Sequence, residues 1–246
     1  MTTAARDTAA RFPADQPFSY VCHRCRHCCR DKLIQVNPYE IARLARHRRV
    51  TTTAFIRDHL EQAVYLRRQA DGACTFLGAE GCTVHADRPL VCRLYPLGRH
   101  VGPTGEATFS EMDPHPETKG VYGRDGAVSD YIAKQGVAPF IEAADRYLAL
   151  LQRLYDAWRE APEVPDSESP RSGPEAEDMP DLLDLDRAVA DYCARHGIAE
   201  PVDVEERMQA HLQAVSAWLE GQASAAAPNS FASDSARPAG PVQSGG

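Results

Sequence analysis

The sequence predicts an α+β fold: a small cysteine-cluster metal-binding domain of short strands and flanking helices, with further helices appended towards the C-terminal end. Three observations lead there. Seven of the eight cysteines fall between residues 22 and 92 of the 246-residue chain. Four of them form one run, Cys22-x-x-Cys25-x-x-Cys28-Cys29, and a two-residue spacing lets two thiolates turn back onto one metal across a tight loop. Around the cysteines, segments with helical caps and apolar spacing alternate with short β-branched runs.

Taken in order, residues 1–17 are small and polar and predict a disordered lead-in. The metal-binding domain with its packing helix is expected over residues 18–160. Residues 32–36 are short and β-branched, which predicts a strand. Asn37, Pro38 and Glu40 then supply a cap, a first-turn proline and a capping-box acid. The helix they start carries Ile41, Leu44 and Ala45 inward, with Arg43, Arg46, Arg48 and Arg49 mostly facing water. A second helix is expected after Thr51 to Thr53, burying Phe55, Ile56, Leu60 and Val64. Residues 74–77 and 82–85 read as strands of a hairpin turning through 78–81, which would bring Cys74 and Cys82 together at its base. Pro89 predicts a helical turn that ends before Pro96 and aims Cys92 at the same centre.

Residues 101–126, rich in Gly, Pro and charge, predict a loop. A long helix is expected from about 139 to 158, with Phe140, Ala144, Tyr147, Leu148, Leu151, Leu154, Tyr155 and Trp158 on one core face. Five prolines among acidic and Ser residues mark 161–180 as a linker. A helical hairpin is expected over 181–220: one helix ends at Gly197, and the next starts from a capping box of Asp203 and Glu206. Val204, Met208, Leu212, Val215, Trp218 and Leu219 give the second helix an apolar face. Two helices bury too little to stand alone, so they are expected to dock on the first domain or on a protein partner. Residues 221–246 read as a disordered tail.

The formal charge is −8, but residues 22–100 hold 14 Lys or Arg against 7 Asp or Glu. Two Zn²⁺ carrying seven thiolates would have a net charge of about −3, which nearby guanidinium groups offset. Nucleic-acid binding is the less economical use of such a patch. The first residues lack the apolar core of a signal peptide, and no apolar stretch is long enough to span a bilayer. The expectation is therefore a cytoplasmic protein without membrane contact, in which a cysteine cluster reads as a metal site before it reads as disulfides.

Adjacent residues on a strand point to opposite sides, and on a helix they diverge by about 100°. Cys28 and Cys29 can therefore meet one metal only through a special turn, which favours two ions or a multinuclear cluster. The seven cysteines with His85 make eight donors, enough for a Cys₄ and a Cys₃His zinc site. A single iron–sulfur cluster would use four cysteines. Both readings stay open. His85 also has a plain role as a hydrogen-bonding residue of the hairpin, and His23 and His27 suit supporting or solvent-exposed roles. Arg88 and Arg93, beside Cys92, suit either a bound anion or ordinary salt bridges. Cys193 reads as a small apolar core residue.

The ordered set Cys22-x-x-Cys25-x-x-Cys28-Cys29, Cys74-Thr-Phe-Leu, Gly81-Cys82-Thr-Val-His85 and Arg88-Pro89-Leu-Val-Cys92-Arg-Leu-Tyr-Pro96 resembles the YkgJ-type cysteine-cluster family. The resemblance covers roughly residues 18 to 100. It implies zinc or iron chelation through Cys22, Cys25, Cys28, Cys29, Cys74, Cys82 and Cys92, and it implies no substrate. A similar module occurs in flagellin lysine methylases. The expected function is a metal-chelating protein in metal handling, redox sensing or electron transfer. The alternatives are a metal-dependent enzyme or accessory subunit of the methylase kind, and a zinc-stabilised module that binds nucleic acid or protein. Against the methylase, no Gly-rich loop follows a strand where S-adenosylmethionine could be cradled.

Overall fold

The structure is a computed structural model that describes residues 10–160 and 179–226. Most of the expected lead-in, linker and tail lies outside the described residues. Helices and short antiparallel strand pairs mix along the chain, as an α+β fold requires.

The first strand, β1 (Pro17–Val21), follows a segment that pairs with the chain far downstream. Phe12 exchanges both backbone hydrogen bonds with Phe109 at 2.8 Å. Residues 10–17 are thus structured where a disordered lead-in was expected, because the distant strand supplies their partners. α1 (Pro38–Arg48) starts as the sequence dictates: Asn37 and Glu40 form the full capping box, with Pro38 in the first turn. α2 (Thr52–His59) is capped by the Thr51 hydroxyl. It ends before Leu60, which turns into β2 (Leu60–Glu61) and pairs with β3 (Tyr65–Leu66). Residues 32–36 form no strand of their own; Gln35 makes an isolated bridge to Tyr65.

β4 (Leu77–Gly78) and β5 (Gly81–Cys82) make a minimal hairpin with Leu77 opposite Cys82. His85 lies beyond it in a 3₁₀ turn, His85–Asp87, rather than in a strand. α3 (Leu90–Leu94) follows Pro89 and carries Cys92. The expected loop over 101–126 instead contains strands, separated by shorter irregular stretches. β6 (Leu97–Val101) pairs with β7 (Ala107–Glu111), and β8 (Val121–Ala127) closes on β1.

α4 (Val128–Lys134) leads to α5 (Ala138–Glu160). α5 buries Phe140, Ala143, Tyr147 and Leu150, while Leu148, Leu151 and Tyr155 are exposed. Its core face is therefore rotated from the expected one by roughly 60° on a wheel of 100° per residue. α6 (Leu185–His196) ends at Gly197, whose φ of 65° is the left-handed cap that glycine adopts without strain. α7 (Val204–Ala226) is started by Asp203, whose carboxylate accepts from the N–H groups of Glu205 and Glu206. It runs on through residues 221–226, which the sequence assigned to the tail.

The two appended helices dock on the first domain. Leu185, Val189 and Cys193 of α6 and Val204, Met208, Leu212 and Val215 of α7 share one core with Tyr39 of α1 and Phe140 and Tyr147 of α5. A second core joins Ile41, Leu44 and Ala45 of α1 to Ile34, Phe55, Leu60, Leu66, Phe76 and Val84. Cys74, Cys82 and Cys92 pack against its edge. A third core gathers Phe18, Leu94, Leu97, Phe109, Val128 and Tyr131. α1 thus lies between the helical core and the cysteine-bearing one. Arg43 of α1 ties the two sides together, donating to Asp87 at 2.8 and 2.9 Å and to Glu205 of α7 at 3.2 Å.

Candidate metal centre

All seven cysteines between residues 22 and 92 line one cavity of about 410 Å³. Four separate pieces of backbone deliver them. The first run turns sharply: Arg24 and Arg26 adopt left-handed φ values of 53° and 71°, a conformation that non-glycine residues occupy at a cost. These two reversals wind the chain inward after Cys22 and after Cys25. The next residues form a 3₁₀ turn, His27–Cys29, which answers the problem of the adjacent pair: Cys28 and Cys29 face the same cavity with their sulfurs 3.9 Å apart.

The second piece is pinned to the first through the backbone. Cys74 N–H donates to the Cys29 carbonyl at 2.9 Å, and Asp31 N–H donates to the Gly72 carbonyl at 2.9 Å. Gly72 sits at φ +80°, a left-handed conformation that strains any residue with a side chain, and a Cβ there would also push the Asp31 carboxylate aside. The third piece is the hairpin that carries Cys82. The fourth is α3, held at its start by Glu40, whose buried carboxylate accepts from Asn37 N–H at 2.9 Å and from Leu90 N–H at 2.7 Å. The residue that caps α1 therefore also fixes the helix bearing Cys92.

The sulfurs differ in chemistry. Cys29 S–H hydrogen-bonds to Cys28, which lowers the Cys28 pKa to about 7 and raises that of Cys29. Burial raises Cys74, Cys82 and Cys92. At Cys25 burial also opposes ionisation, but the Lys119 and His27 N–H groups and the Thr118 hydroxyl outweigh it and lower the pKa. Cys22 is exposed at the mouth, with Arg24 N–H 3.4 Å from its sulfur. Arg24, Arg26, Lys32 and Arg88 line the same cavity and set positive charge against the thiolates.

Arg93 points away from the cavity. It donates to the carbonyls of Arg88 (2.9 Å), Gln135 (2.8 Å) and Ala86, and its guanidinium lies 4.0 Å above the Phe140 ring. Burial lowers its pKa to about 10. His85 is exposed at the cavity wall, where its Nδ1 meets Arg88 at 3.4 Å. His23 and His27 are not among the lining residues. Cys193 is buried in the helical core, as its apolar neighbours required.

Sequence reasoning did not place Tyr20, Tyr95, Tyr131, Met112 or Thr118 at the cavity, yet all line it. Nor did it see His115 and Glu117. Among the described residues, His27, His115 and Glu117 are the one trio of metal-type donor atoms lying within 4.8 Å of one another. No three of the seven sulfurs draw that close.

Residues 21–115 match the CxxCxxCC family, described as a "putative zinc- or iron-chelating domain". The match spans every cysteine of the cavity. Neither a curated protein nor a solved structure gives a significant match. Among the described residues, no helix is long and apolar enough to cross a membrane.

Proposed function

We propose that Cys22, Cys25, Cys28, Cys29, Cys74, Cys82 and Cys92 form the donor set from which an iron–sulfur cluster takes its four thiolates, and that the protein works in electron transfer or redox sensing. The observation that carries this reading is the spacing of the sulfurs. Seven surround one cavity of about 410 Å³, yet no three lie mutually within 4.8 Å among the described residues. A single tetrahedral zinc with Zn–S bonds of about 2.3 Å holds its sulfurs about 3.8 Å apart. A multi-iron core, which takes one thiolate at each corner, suits donors spread around a wider space. When bound, such a centre supplies one-electron chemistry at a potential set by burial and by hydrogen bonds to its sulfurs.

The surrounding residues favour that role. Lys119 N–H, 3.5 Å from Cys25 Sγ, and Arg24 N–H donate towards sulfur. Burial of the Cys74, Cys82 and Cys92 side shields the inner wall. Exposed Leu33, Val91 and Met112 line the cavity together with Arg24, Arg26 and Lys32, a mixture of apolar and basic surface that suits an acidic protein partner. A second reading rests on the Cys28–Cys29 pair, whose 3.9 Å separation is the spacing of a zinc site and supports two zinc ions sharing the seven thiolates.

The test is anaerobic purification with iron, zinc and acid-labile sulfide counted on the sample that gives the visible spectrum. Brown protein that bleaches on reduction and carries stoichiometric iron and sulfide is the expected result. Colourless, redox-silent protein with about two zinc ions per chain would replace it with the zinc reading.

A further inference from the structure

We infer a second metal site, built from nitrogen and oxygen donors, at His27, His115 and Glu117 beside the mouth of the cysteine cavity. Its three ligand atoms already lie within 4.8 Å of one another. The His27 and His115 rings stack with centroids 4.8 Å apart and planes inclined by 19°. Glu117 Oε2 stands 3.4 Å from His27 Nδ1. Two distant parts of the chain make this meeting. His27 rides on the 3₁₀ turn that carries Cys28 and Cys29, while His115 and Glu117 belong to a tight turn closed by Thr118 N–H on the His115 carbonyl at 2.8 Å. The last residue of this turn and the one after it contact the cysteine run directly: the Thr118 hydroxyl lies 4.0 Å from Cys25 Sγ, and Lys119 N–H 3.5 Å from it.

Two imidazoles and one carboxylate form a borderline donor set that takes Zn²⁺, Fe²⁺, Co²⁺, Ni²⁺ or Cu²⁺. The site differs in kind from the all-sulfur cavity, which selects softer ions or clusters. His115 Nδ1 now accepts from Glu117 N–H at 3.1 Å. An ion held through Nδ1 would take the place of that hydrogen bond, and one held through Nε2 would leave it intact. Glu117 has an exposed side chain and His27 a partly exposed one, which leaves the remaining coordination positions to water. A bound ion would tie the turn at residues 115–118 to the first cysteine run and clasp one lip of the mouth.

The experiment titrates Co²⁺ into anaerobically purified protein whose cysteine centre keeps its own metal, with iron and zinc counted before and after. One further Co²⁺ per chain is expected, with ligand-field bands and no new thiolate-to-cobalt charge-transfer band. His115→Ala should abolish this equivalent. Glu117→Gln, a change at a solvent-exposed side chain that leaves the fold intact, should weaken it by more than about tenfold. Iron and zinc counts should stay at the wild-type level in both. The inference is overturned by absence of the extra equivalent, by a thiolate charge-transfer band on the added cobalt, or by undiminished binding in the Glu117→Gln protein. None of these outcomes alters the metal count that judges the cysteine centre.

Discussion

α1 faces two interiors of different construction. On one side, Tyr39 and Ala42 meet α5, α6 and α7 in a core of long helices with large apolar side chains. On the other, Ile41, Leu44 and Ala45 meet a core whose strands are two residues long and whose edge is made of Cys74, Cys82 and Cys92. Burial and helix packing account for the first side. The second side closes few backbone ladders and places polar, ionisable sulfurs where a larger core would have leucines. Thiolates drawn together without a cation repel one another, so on the proposed reading this half would depend on the metal its sulfurs hold, whereas the helical half would not.

The largest expected effect breaks the comparison directly. Removing the metal with a chelator, or substituting Cys28→Ser, should release the amides of residues 22–36 and 66–94 to rapid hydrogen exchange. Those of α6 and α7 should stay protected. Metal binding in small thiolate domains contributes on the order of 10 kcal/mol to folding, far more than any single contact on the helical side. Equal loss of protection across both halves would show one cooperative unit and sink the distinction.

How much of this was legible follows the same division. The capping box at Asn37 and Glu40, the αL cap at Gly197 and the cysteine run are local signals, and each appears where the residues put it. The second use of Glu40, on Leu90 N–H, is a contact between residues 50 apart in sequence, and spacing carries no trace of it. β6 and β8 were hidden because Gly98, Arg99, His100 and the two glycines of β8 break β-branched alternation, and β7 is a short run between Gly- and Pro-rich stretches. Their pairing partners supply the order instead, with β8 closing on β1 more than a hundred residues earlier. The rotated face of α5 has a similar origin: its wheel offers apolar residues over a wide arc, and the position of α7 decides which part is buried. His115 and Glu117 carry no motif, because their relation to His27 exists only once the chain folds back.

A medium effect sharpens the comparison from the helical side. His211 is fully buried between Tyr147, whose hydroxyl lies 2.9 Å from Nδ1, and the Asp181 carbonyl, 2.8 Å from Nε2. The neutral ring with Nε2–H satisfies both contacts, and burial lowers its pKa below the usual value of 6.5. The unfolded chain therefore binds the proton more readily. Stability from this site is complete above about pH 6.5 and is lost as pH falls below it. His211→Leu should cost about 1–3 kcal/mol by leaving the Tyr147 hydroxyl and the Asp181 carbonyl unpaired. It should also flatten the acid-side slope of a pH–stability profile while leaving the metal count unchanged. A lost metal equivalent would instead tie the two halves together.

The smallest effect concerns a charge beside the cysteines. Arg30 follows Cys29 directly and meets Asp71 at 2.7 Å, but both side chains are largely exposed, at 41% and 57%. Such a pair gains little over its hydrated ions and is screened by salt. The register that brings Cys29 to Cys74 is held by backbone groups, through Cys74 N–H on the Cys29 carbonyl and Asp31 N–H on the Gly72 carbonyl. Arg30→Ala should therefore leave both stability and metal content at the wild-type level, measured by denaturant unfolding and metal analysis. Gly72→Ala attacks the same junction through its left-handed backbone, so it serves as the contrasting control. If Arg30→Ala alone lost metal, the side-chain pair rather than the backbone would be what holds the first cysteine run against the second.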